Sequence, residues 1–138
     1  MGTQHKAMTW IGWILTLLVG GMLIFSAAVK LNLAAPPGVN LERDFNQKFD
    51  FSSNLTFPIG IVELVSVLVF LVPRTSVLGA VLLTGYLGGA IVTHVRIHDY
   101  ANISGPIIGG VLVWLALFLR DRRVRALLPI RWNDAPPA

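Results

Sequence analysis

Apolar residues in this chain gather into four long runs, and the charged residues lie almost wholly between them. Residues 9–29 carry no charge, and 55–72 carry one, Glu63. Residues 77–95 hold only His94 near their end, and 103–119 hold none. A helix crossing about 30 Å of hydrocarbon needs about 20 residues, within a range of about 17–25. All four runs approach that length, the last being slightly short. Periodicity inside them is weak, as expected of helices apolar nearly all round. Lys30 closes the first run, Pro73-Arg74 the second and Arg96 the third. Pro106 suits the first turn of the fourth, where its missing N–H costs little. The pattern predicts an all-α fold: an integral membrane four-helix bundle forming a single domain over 1–138.

The stretches between the runs are short except for an outer loop at 30–54. Pro36-Pro37-Gly38 reads as a turn at its start. Phe49 and Phe51 alternate with polar neighbours, which predicts a short strand or edge lying over the bundle. Loops this long are often functional lids. The last residues, 120–138, mix five arginines with Val124, Leu127, Leu128 and Ile130. They read as a basic segment lying on the membrane interface. The first run is read as a span and not as a cleaved leader, because it is long for a leader's apolar core.

Lys and Arg counts set the expected orientation. Lys6, Arg74 and the arginines at 120, 122, 123, 125 and 131 fall on one side, seven in all. Lys30, Arg43, Lys48 and Arg96 fall on the other, four in all. Both termini are therefore expected to be cytoplasmic, in a bacterial cytoplasmic membrane. Trp10, Trp13, Trp114 and Trp132 are placed near the interfaces or in the outer parts of spans, where indoles are favoured.

Composition narrows the function classes. Of 138 residues, 54 % are apolar and 13 % charged, with a mean hydropathy of +0.69. Soluble domains carry roughly 25 % charged residues, so an ordinary soluble enzyme is excluded. There is no cysteine, which removes dithiol redox chemistry, thiolate metal sites and iron–sulfur ligation by this chain. The net charge of +4 resides largely in the terminal arginines. No aromatic or groove-reading element accompanies them, so no nucleic-acid partner is expected. The expected partners are the lipid bilayer and a lipophilic small molecule, with a redox protein and a second copy of the chain as further candidates.

Glu63 is the most informative residue. A carboxylate in hydrocarbon is costly unless it is paired or turned to a cavity. Helices of alternating direction bring Lys30, Glu63, His94 and Arg96 to one layer of the bundle. Ser26 lies one turn below Lys30, and Ser66 one turn from Glu63. Tyr86 and Ala90 share the face of His94 at i−8 and i−4. These positions outline a pocket that opens outward, with an apolar floor. Glu63, His94 and Tyr86 are the candidates for proton chemistry. Lys30, Arg96, Ser26 and Ser66 are the candidates for holding a ligand. The alternative is an ion pair that only fixes helix register. His94 and His98 stand at i, i+4, but no third nitrogen ligand lies near, so no metal is expected. Gly79, Gly85, Gly88, Gly89 and Ala90 make the third run rich in small residues. Close packing inside the bundle is the expected use, and a dimer face the alternative.

Four segments in order carry a resemblance to a known family. They are Phe25-Ser26-Ala27-Ala28-Val29-Lys30-Leu31, Gly60-Ile61-Val62-Glu63-Leu64, Pro73-Arg74 followed by Leu78-Gly79-Ala80, and Gly89-Ala90-Ile91-Val92-Thr93-His94. Over about residues 10–120 the chain resembles the DoxX-like family of small four-helix membrane proteins. The 30–54 loop is longer than is usual there. The resemblance implies quinone-coupled oxidation of sulfur compounds or a place in membrane-associated oxidative-stress complexes. The arrangement is also similar to vitamin K epoxide reductase and to sterol-isomerase-type proteins, although the dithiol chemistry of the former cannot carry over.

Three functions remain open. One is the membrane subunit of a redox system, binding a quinone between its helices, with electrons supplied by a partner. Another is a cofactor-free enzyme of isomerase, cyclase or epoxide hydrolase type, with Glu63 and His94 as acid and base. The third is a non-enzymatic assembly or binding protein.

Overall fold

Helix covers the four apolar runs and part of the loops between them. The computed structural model describes residues 2–51 and 55–127. In chain order its elements are α1 (Gly2–Lys30), α2 (Leu41–Lys48), α3 (Thr56–Leu71), α4 (Ser76–Arg96), a 3-10 turn (Tyr100–Ile103), α5 (Ser104–Arg120) and α6 (Arg122–Leu127). The segments Lys6–Lys30, Ser76–Arg96 and Tyr100–Arg120 are long and apolar enough to cross a membrane. Helix α3 has 16 residues, about 24 Å at 1.5 Å per residue. It stops at Leu71 because Val72 precedes a proline and takes extended angles (φ −75, ψ 120).

The long helices form a ring in the order α1, α3, α4, α5, closed by α5 against α1. Their outward surface is apolar: Trp10 is 71 % exposed, Phe25 65 % and Val92 67 %. Lipid is the solvent that suits such a surface. The all-α membrane bundle is thus what the chain forms.

The packed core fills one half of the bundle. Val19, Val67, Phe70, Leu83, Val113 and Leu117 are fully buried there. Helices α3 and α4 meet closely because Gly79 has no side chain, and a Cβ there would overlap the Phe70 backbone. At that end Arg120 turns inward. Its guanidinium lies 4.6 Å from the Trp13 ring centre and 5.2 Å from that of Phe70. Its Nη2 donates to the Phe70 carbonyl at 3.1 Å, meeting one of the acceptors left open at the end of α3. Helix α6 tucks Val124 beneath. The remainder of the basic tail, 128–138 with Trp132, lies outside the described residues.

One sequence expectation changes here. The segment around Phe49 and Phe51 is no strand: α2 occupies Leu41–Lys48, with Phe49 as its C-cap. The Asn40 side chain accepts from Arg43 N at 2.9 Å, Glu42 and Asp44 sit in the first turn, and Lys48 sits in the last. Cap and charges all favour a helix in that direction. Trp114 lies ten residues into α5 and donates from Nε1 to Thr84 Oγ1 at 2.9 Å, tying α5 to α4.

Candidate functional site

The half of the bundle opposite the packed core holds a cavity of about 670 Å³. All four long helices line it, and the 41–51 segment covers it. A volume of several hundred cubic ångströms is typical of small-molecule sites.

Its polar end begins where α1 stops. Asn32 takes a left-handed conformation (φ 59). Leu33 N donates to Ala28 O at 2.8 Å and Asn32 N to Val29 O at 3.1 Å. This pair of bonds closes the helix and leaves Lys30 in its last turn. Helix α3 comes close because residue 60 is glycine; a Cβ there would stand 3.0 Å from Lys30 Cβ. Lys30 Nζ consequently reaches Glu63 Oε2 at 2.9 Å. It also donates to Ser26 Oγ at 2.6 Å and, more weakly, to Ser26 O at 3.4 Å. Glu63 is 1 % exposed and Lys30 7 %. The ammonium lies 5.3 Å from the Phe45 ring centre and 6.0 Å from that of Tyr86, close enough for cation–π attraction. The Tyr86 hydroxyl interacts in turn with the Glu63 carboxylate.

His94 lines the cavity from the last turn of α4. Its Nδ1 stands 2.8 Å from the Ala90 carbonyl. A carbonyl only accepts, so Nδ1 carries the proton and Nε2 is the ring's acceptor. The ring meets Phe49 edge-on, with centres 5.1 Å apart. His94 has no hydrogen bond to Glu63 among the described residues.

Two candidates lie elsewhere. The Ser66 hydroxyl donates to its own helix at Val62 O, 2.7 Å away, and does not line the cavity. Arg96 does not meet Glu63. Its guanidinium binds the Phe49 and Asp50 carbonyls and lies 5.6 Å from the Phe51 ring centre. It straps the covering segment down from outside. Helix geometry explains Arg96, which sits two residues past His94 and so on another face. Ser66 is on the same side of α3 as Glu63, but its hydroxyl is spent on its own helix.

The cover is the segment expected to lie over the bundle, built as a helix and not as a strand. Phe45 and Phe49 pack with ring centres 4.4 Å apart, and Phe51 joins them at 6.0 Å from Phe49. Leu41, Phe45 and Phe49 stand at i, i+4, i+8, the period of a short amphipathic helix. That signal was present beside the two-residue alternation. Asn46 Oδ1 accepts from both the backbone and the hydroxyl of Thr56, pinning α2 to α3. Lys48 pairs with Asp99 at 3.4 Å. Asp99 also accepts from Asn102 Nδ2 at 2.7 and 2.9 Å. That amide, and then Lys48, hold the Asp99 carboxyl below its ordinary range.

Of the small residues of α4, Gly79 brings helices together as expected, whereas the later glycines have a different use. A Cβ at Gly85, Gly88 or Gly89 would meet nothing within 4 Å, so these glycines mediate no close helix contact inside the bundle. Gly85 and Gly89 instead form part of the cavity wall, with Gly105 of α5. Their missing side chains leave the volume open. His98, the second histidine of the i, i+4 pair, lies beyond the end of α4 with φ 57 and faces Tyr100.

The chain belongs to the DoxX-like family, whose model matches residues 14–116. The matched span begins in α1 and ends in α5, so it includes Lys30, Glu63, Tyr86 and His94. No curated protein and no solved structure matches the chain.

Proposed function

We propose that this DoxX-like membrane protein holds a lipophilic small molecule in the cavity between its helices, as the membrane subunit of a redox system. The observation that carries the reading is a buried ion pair, Lys30–Glu63, set at the edge of a mainly apolar cavity of about 670 Å³. Register alone needs no such volume beside the pair, and a packed bundle would have filled it. A quinone is the ligand class that the family resemblance implies. Its ring fits between the Phe45–Phe49 cover and the glycine face of α4, with Lys30, Glu63, Tyr86 and His94 at its polar end. When bound, a quinone supplies two-electron, two-proton carrier chemistry. The chain's own part is to orient the ring, exclude water and present Glu63 and His94 as proton-handling groups. Electrons come from a partner protein. The lysine and arginine balance favours cytoplasmic termini, with the cavity toward the outer side of a bacterial cytoplasmic membrane.

A cofactor-free acid–base enzyme rests on less. It would use Glu63 with Tyr86, since Glu63 and His94 are not joined by a hydrogen bond.

The test is organic extraction and mass spectrometry of protein purified in mild detergent. The expected result is a lipophile that co-purifies with the wild type and is lost in Gly89→Leu, whose side chain fills the cavity. A wild type that carries nothing, and that takes up no added quinone in nanodiscs, would overturn the reading.

A further inference from the structure

The proposed ligand cavity has a hydrogen-bonding polarity of its own. Lys30 has three protons, and its neighbours are Glu63 Oε2 at 2.9 Å, Ser26 Oγ at 2.6 Å and Ser26 O at 3.4 Å. No N–H remains to receive an anion. The cation at the cavity's edge, Lys48, is paired with Asp99. Thr93 donates to Gly89 O at 2.9 Å, and Asn102 donates to Asp99. His94 Nδ1–H is committed to Ala90 O. The Ser26 hydroxyl, which already accepts from Lys30, keeps one rotatable proton. The Tyr86 hydroxyl is engaged with the Glu63 carboxylate. His94 Nε2, the acceptor of the neutral ring, has no partner among the described residues.

From this we infer that the cavity selects an uncharged lipophile bearing a hydroxyl group, whose O–H donates to His94 Nε2, and that it rejects lipophilic anions such as fatty carboxylates. The inference rests on the ligand-binding reading and specifies the class. A carboxylate in the cavity would have to compete with Glu63 for Lys30 and with Asp99 for Lys48, and a charge buried without a partner of its own is costly. A phenol or an alcohol brings the donor that the histidine lacks. Its ring or chain lies against the Phe45–Phe49 cover and the glycine wall. The hydroxyl-bearing, reduced member of a quinone couple falls within this class.

Three probes of one size separate the possibilities: 4-octylphenol, 4-octylanisole and 4-octylbenzoate. At neutral pH the first is an uncharged donor, the second has no donor and the third is an anion. Equilibrium binding is measured on the full chain in lipid nanodiscs, with empty nanodiscs subtracted. Octylphenol should bind about tenfold more tightly than octylanisole, the worth of about one hydrogen bond. Octylbenzoate should bind more weakly still. In His94→Phe, which keeps an aromatic edge against Phe49, the octylphenol affinity should fall to that of octylanisole, with octylanisole unchanged. Equal binding of phenol and anisole, or tighter binding of the benzoate, overturns the inference and leaves the cavity reading standing. Absence of saturable binding by all three, or octylphenol binding unaltered in Gly89→Leu, overturns the cavity reading itself. The wild-type comparison decides the matter even where His94→Phe does not fold.

Discussion

Lys30 Nζ and Glu63 Oε2 stand 2.9 Å apart, with 9 % and 1 % of their side chains exposed. Thirty-three positions separate them in sequence, and the bond joins the last turn of α1 to the middle of α3. Each residue makes the other's burial tolerable: neither charge has water, and each has the other.

Removing one partner should therefore cost more than removing both. Lys30→Met leaves Glu63 without a counter-charge and should lose about 3–5 kcal/mol of stability. The double variant Lys30→Met/Glu63→Leu should recover most of it. Unfolding in mixed micelles, arranged as a double-mutant cycle, measures the coupling. Additive losses would mean that the pair is not the clamp described.

Glu63→Gln is milder, because the amide oxygen can still accept from Lys30. Its fold should survive while uptake of a lipophile drops. Circular dichroism and ligand extraction on the same sample check both halves. An unfolded Glu63→Gln beside a harmless Lys30→Met would make Glu63 purely structural.

Glycines of α4 should divide by position. Gly85→Leu and Gly89→Leu meet no atom within 4 Å at Cβ, and glycine is a poor helix former by about 1 kcal/mol. Both variants should match or exceed wild-type stability and lose ligand. Gly79→Ala overlaps the Phe70 backbone and should lose about 1–3 kcal/mol or more. Thermal unfolding of the three variants reads the contrast.

Strapping by Arg96 should be visible in the cover alone. Arg96→Ala frees the carbonyls of Phe49 and Asp50, and amide exchange over 41–51 should quicken on the order of tenfold, the equivalent of about one hydrogen bond. Exchange in α3 around Glu63 should stay unchanged. Equal acceleration in both segments would show that Arg96 supports the whole bundle.

Acid should loosen the turn after α4. The folded Asp99 carboxyl titrates below its ordinary value of 3.8, mainly through Asn102 and then Lys48. A lowered folded value means that the stabilisation is fully present above the unfolded value. It is lost as pH falls below 3.8 through the folded value. Exchange at residues 98–103 should rise over that window in the wild type. In Asp99→Asn the step should vanish.

The apolar runs made the bundle legible, because lipid-facing helices need uninterrupted apolar length and little else. Glu63 and Lys30 were legible as partners because a charge inside such a run must be answered from a neighbouring helix at the same depth. Arg96 was assigned to the same layer from its depth, but depth does not fix the direction of a side chain. Two residues past His94 are enough to turn it outward. The cover over the bundle was legible, but its helical form was not, because two phenylalanines at alternate positions point toward a strand. The Asn40 cap, the acidic first turn and the basic last turn argued for a helix in the same stretch. The glycines of α4 were read by the general rule that small residues bring helices together. Whether a glycine faces a neighbouring helix or an open volume depends on how the helices splay, which no local pattern records.

The glycine wall also bears on the entropy of binding. A surface made of backbone has no rotamers to freeze when a molecule settles on it. Lys30, already held by Ser26 and Glu63, has few left to lose. Much of the ordering that a pocket imposes on its own side chains is therefore complete before any ligand arrives, and the remaining loss belongs mostly to the ligand. A flat, stiff molecule would lose least, so rigidity as well as apolarity should be favoured in what this cavity holds.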